Sequence, residues 1–105
     1  MPRDANDPLT TGGLYPNAET VLAATPITSD ADVPVALPAG ASVLMVYSDQ
    51  DFVEGRDAPN RANCPPRAAS TLHFISCLGA ATWHFAKASS GGTNLTLKIK
   101  VLQLA

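Results

Sequence analysis

Charge is scarce in this chain. Asp, Glu, Lys and Arg make up 15% of its 105 residues, against roughly 25% in ordinary soluble domains, and the formal net charge is only -2. Proteins that hold DNA or RNA need clustered Lys and Arg to neutralise phosphates. Nothing of that kind is present, so nucleic acid is not an expected partner. Few charges also remain to coat an isolated surface. Two explanations fit: part of the surface is covered by protein partners, or the composition is simply alanine-rich.

Long apolar runs are missing as well. The longest, Val43 to Tyr47 with its flanks, falls far short of the roughly 20 residues that span a bilayer, so no membrane association is expected. Met1 to Pro8 carries Arg3, Asp4 and Asp7 without an apolar stretch, which is unlike a secretory signal, and the expected product is soluble and made in the cytosol. Cys64 and Cys77 are the only cysteines. Their spacing is not that of a zinc site, and His73 and His84 add no recognisable ligand order; a cytosolic origin argues against a disulfide.

Catalytic and cofactor motifs are absent too. There is no Gly-rich phosphate loop, dinucleotide fingerprint, paired-carboxylate motif, internal repeat or amphipathic helix. The acidic residues Asp30, Asp32, Asp49, Asp51, Glu54 and Asp57 do not follow the calcium-loop spacing of an EF-hand, and Asx turns are the expected role of Asp49 and Asp51. His73 and His84 each lie between apolar neighbours with no nucleophile motif around them. No enzymatic activity, metal or cofactor is expected.

What the chain does have is period-two alternation. Leu95, Leu97, Ile99 and Val101 alternate with Thr96, Lys98 and Lys100 after Gly91 and Gly92, which buries one face of a strand and wets the other. Further strands are expected at Thr20 to Ala24, Val33 to Leu37, Ser70 to Ser76 and Thr82 to Ala88. Pro34 places the second of these at a sheet edge or strand start. Ala41 to Ser48 is apolar on both faces and reads as a central strand, with Phe52 to Gly55 as its hairpin partner. Turns are expected at Pro38-Ala39-Gly40, Cys77-Leu78-Gly79 and Ser89 to Gly92, the last two closing an antiparallel meander. The expected fold is all-β, a small antiparallel sandwich or barrel of about six or seven strands.

Residues 1–18 read as an extended N-terminal arm and residues 19–105 as the β-domain. Up to Pro16 the segment offers only Leu9, Leu14 and Tyr15 for burial and cannot form a core alone. It serves as a clasp on another subunit or frays. Asp57 to Ala69 reads as a proline-blocked loop, where Arg56, Arg61 and Arg67 either grip an acidic partner or are solvated.

Four stretches carry a resemblance: the opening Met1-Pro2-Arg3-Asp4-Ala5-Asn6, the edge segment Val33 to Gly40, the turn segment Val46 to Phe52, and Ala88 to Thr93 leading into the last strand. Together they resemble small virion proteins of tailed bacteriophages. The resemblance implies a short β-sandwich or barrel that decorates a capsid or builds part of a tail or fibre, often as a trimer. It therefore implies a non-enzymatic capsid decoration or cement subunit, made in the host cytoplasm and resident in the virion. Its partners would be other virion proteins, a major capsid or tail protein, and further copies of itself. The contact residues expected on this reading are Arg3, Leu9, Leu14 and Tyr15 in the arm and Arg56, Arg61 and Arg67 at the loop. The chain departs from the commonest form in its long loop from Asp57 to Ala69. The alternative is a tail or head-fibre module that binds a host glycan through Tyr15, Tyr47 or Trp83.

Overall fold

The structure is a computed structural model that describes residues 16–104. Among these residues there is no helix. The strands are β1 (Pro16–Val21), β2 (Thr25–Ile27), β3 (Val33–Ala36), β4 (Val43–Ser48), β5 (Phe52–Gly55), β6 (His73–Ser76), β7 (Thr82–Lys87) and β8 (Leu95–Leu104). A five-stranded sheet runs β1-β8-β4-β6, with β2 also pairing β8, and a three-stranded sheet runs β3-β7-β5. All pairings are antiparallel. The all-β expectation holds, with eight strands in two packed layers.

The core lies between the layers. Ile27, Leu44, Val46, Ile75, Leu97, Ile99 and Val101 of the larger sheet meet Val35, Phe52, Trp83 and Phe85 of the smaller one. Each large side chain so buried contributes about 1.5–3 kcal/mol. Strand β8 spans ten residues, and its alternation is as expected: Leu95, Leu97, Ile99 and Val101 are all buried.

From β2 onward every connection carries the chain to the other sheet. This corrects two expectations. Phe52–Gly55 is not the hairpin partner of β4, because β8 and β6 occupy both sides of β4; it crosses over, pairs with β7 and delivers Phe52 to the core. The last three strands are not a meander, since β6 and β8 flank β4 while β7 lies in the smaller sheet.

The turns themselves stand where the sequence places them. Gly92 N–H donates to Ser89 O at 3.0 Å, and Gly91 at the third turn position has φ 74°, which a side chain rarely tolerates. The same arrangement closes Pro38 to Ala41 and Cys77 to Ala80. The strand expected at Thr20 to Ala24 is split. β1 ends at Val21 opposite Lys100 and β2 starts at Thr25 opposite Leu97. One more residue lies between Val21 and Thr25 than between Lys100 and Leu97, so the ladder breaks there as at a bulge.

The aspartates are latches, not Asx turns. Asp49 Oδ1 accepts from Thr96 N–H at 2.9 Å and Asp51 Oδ1 from Ala69 N–H at 2.8 Å. The local bonds after β4 are made by Ser48 Oγ, which accepts from Gln50 N–H and donates to Gln50 O. Asp30 fastens the β7–β8 turn by accepting from Gly91 N–H at 2.9 Å and Ser90 O–H at 3.0 Å. Those bonds favour the ionised carboxylate and hold its pKa below the ordinary value. A group depressed in the folded state stabilises above its unfolded pKa, and that stabilisation is lost as pH falls through the folded value. NMR titration should therefore find Asp30 below a normal aspartate, and Asp30→Asn should flatten the acid side of the stability profile.

Candidate interaction surface

The expected contact residues fall into two sets. Arg3, Leu9, Leu14 and Tyr15 lie outside the described residues. The three arginines are described, and each is engaged within the chain. Arg67 Nε and Nη2 both lie 3.0 Å from Glu54 Oε2. Glu54 Oε1 accepts from the Trp83 indole N–H at 2.9 Å. Arg56 stacks over Trp83, its guanidinium carbon 5.6 Å from the ring centroid, and donates to Leu78 O. Arg56 and Arg67 thus meet at one end of the sandwich around Glu54 and Trp83. Arg61 stands apart, donating to Lys87 O at 2.8 Å and to Asp30 O.

That Arg61 anchor explains the outer face of the smaller sheet. Val53 and Ala86 pair across β5 and β7 and alternate with the core residues Phe52 and Phe85, so they face outward. Both are nevertheless buried. The loop after β5 returns to the β5 edge, where Arg67 and Phe52 exchange backbone hydrogen bonds. Between these points Arg61 reaches Lys87 O and Asp30 O, which places the loop beside Val53 and Ala86, while Pro34 and Ala36 of β3 stay exposed.

Among the described residues nothing covers the outer face of the larger sheet in this way. On β4 the residues alternating with buried Leu44 and Val46 are Val43, Met45 and Tyr47. Register places Met45 between Lys100 of β8 and Phe74 of β6, with Val21 of β1 beyond Lys100. Val21 is 74% exposed and Phe74 59%, and Tyr47 and Leu72 are exposed as well. Val21, Leu22, Met45, Tyr47 and Leu72 line a groove of about 360 Å³ with Lys98 and Lys100 beside them. Lys100 forms an exposed ion pair with Glu19 at 3.1 Å, a kind of contact that adds little stability. The two-faced apolarity of Ala41 to Ser48 was the sequence signal for this surface, and Phe74 alternating with buried Ile75 was the second.

Neither histidine sits in a nucleophile–base arrangement among the described residues. His84 Nδ1 lies 2.6 Å from Asp32 Oδ2, tying the β2–β3 connection to β7. His73 Nε2 meets Ala68 O at 2.9 Å, and its ring packs edge-on against Phe52. Among the described residues no three His, Cys, Asp or Glu side chains converge on a metal position. Cys64 and Cys77 are free thiols. Burial pushes the Cys77 thiol pKa up. Trp83 is itself buried, which leaves Tyr47 as the exposed ring among the described glycan-stacking candidates.

Comparison with known proteins gives no relative. No family model, curated protein or solved structure matches this chain. No helix among the described residues is long and apolar enough to cross a membrane.

Proposed function

We propose that this chain is a non-enzymatic structural virion protein, a capsid decoration or cement subunit that docks on other virion proteins. The observation that carries the reading is the asymmetry of the two layers. Among the described residues Val53 and Ala86 on the outer side of the smaller sheet are buried beside the chain's own loop, while the larger sheet leaves Val21, Tyr47, Leu72 and Phe74 exposed around a half-buried Met45, with Lys98 and Lys100 among them. Contiguous exposed apolar surface of this kind marks interaction sites, and the low charge content agrees with a surface meant to be covered. The virion setting rests on the resemblance of the sequence segments to small phage proteins. The glycan-binding alternative has less support, because Trp83 is committed to Glu54 inside the sandwich.

Binding to particles that lack the protein tests the reading. The double variant Tyr47→Glu with Leu72→Glu should lower occupancy about tenfold or more, since it sets charge into an apolar contact, while circular dichroism stays that of the parent. Deleting residues 1–15 should leave a folded sandwich, because the core is built from Ile27 to Val101, and should weaken particle binding. Full occupancy by the double variant would overturn the proposal.

A further inference from the structure

A sheet edge left open exposes a row of unpaired N–H and C=O groups, and most of the edges here are blunted. β1 and β2 share one side of β8; β1 carries the charged Glu19 at its open side and β2 carries Pro26. On β3, Leu37 N–H donates to Ala81 O, so by alternation residues 33 and 35 face β7 and Pro34, without an N–H, faces the free side. β5 is closed at Phe52 by its two bonds with Arg67.

β6 is the exception. It pairs with β4 on one side, and no backbone partner is found on its other side among the described residues. Cys77 N–H donates to Ser42 O in continuation of the β4 register. Alternation therefore turns the backbone groups of Ile75 toward β4 and those of Phe74 and Ser76 toward the open side. The side chains follow the same concentration: Leu72, Phe74 and Leu78 are three of the five exposed large hydrophobics among the described residues, at 47%, 59% and 65%.

We infer that β6 is a self-association edge and that its occupant is β6 of a second copy, running antiparallel so that the larger sheet continues across a two-fold axis. An axis at Phe74 sets Phe74 opposite its counterpart and Leu72 opposite Ser76 of the second copy, with outward-facing groups meeting outward-facing groups. Charge selects this partner. A two-fold pairing brings a strand against itself, so any charge on it meets a like charge or lies near one. From Ala68 to Leu78 there is no Asp, Glu, Lys or Arg. A strand of four residues provides less contact than the roughly 1,200 Å² of a stable standard interface, so the pairing is weak and forms where the protein is concentrated. On the proposed reading a particle surface supplies that concentration, and here the inference rests on it.

Sedimentation equilibrium of the full chain from about 10 µM to about 1 mM reads the association directly. The average mass should climb from one chain toward two. Phe74→Lys, which sets two ammonium groups across the axis, and Ser76→Pro, which removes an N–H that β4 does not use, should each weaken association about tenfold or more. Hydrogen exchange on the unmodified protein gives a readout independent of variant folding: Phe74 and Ser76 amides should become slower with concentration while Ile75 does not change. A monomer over the whole range, or association that both folded variants keep, would overturn the inference. Either result leaves particle occupancy, and so the proposed function, to stand or fall on its own measurement.

Discussion

Phe85→Ala should destabilise the protein by about 3–5 kcal/mol, the range for truncating a buried aromatic ring. Phe85 sits on β7, the middle strand of the smaller sheet, with no exposed surface. Its ring centroid lies 6.1 Å from that of Phe52 at an interplanar angle of 50°. Removing it empties the centre of the layer interface, and the strands around it are held by ladders that cannot close the gap. A domain of this size has about 5–15 kcal/mol in total, so the loss takes a large share of its stability. Denaturant titration checks this through the midpoint. A loss below about 1 kcal/mol would mean that the layers do not pack through this ring.

Glu54→Ala should cost about 2–3 kcal/mol, since it leaves the Trp83 N–H and the Arg67 guanidinium without their acceptor. The carboxylate is largely shielded, its side chain 14% exposed, which is why the cost exceeds that of a surface ion pair. Glu54→Gln separates the two contributions. Its amide oxygen still accepts from Trp83 but lacks the charge that holds Arg67, and about 1 kcal/mol of loss is expected. Trp83 emission should shift to longer wavelength in the alanine variant and stay near the parent in the glutamine variant. Equal losses in both would place the whole effect on the Arg67 pair.

Much of the fold was legible in local pattern. Pro38-Ala39-Gly40, Cys77-Leu78-Gly79 and Ser89 to Gly92 turn where glycine is needed, and the alternation of β8 appears in the burial of Leu95, Leu97, Ile99 and Val101. A turn signal, however, says that the chain reverses and not which sheet it enters next. That choice is made by long-range competition: β8 can match β4 from Val43 to Ser48, and a four-residue β5 cannot displace it. The same limit hid the site. Arg56, Arg61 and Arg67 looked available because sequence does not show Glu54, Trp83 and the Lys87 carbonyl beside them. The apolar outer side of β4 reads as a doubly covered strand because nothing local says that the described residues place no second layer above Met45 and Tyr47.

The proposal that this chain is a virion subunit docking on its particle is tested most directly by quantitative mass spectrometry of purified particles from the source. The account predicts that the chain is present in regular, many-copy stoichiometry with a capsid or tail protein. It also predicts that Tyr47 and Leu72 are protected from surface labelling on the particle and accessible in the free protein. Absence of the chain from particles, or its presence with Tyr47 and Leu72 as accessible as in the free protein, would contradict it.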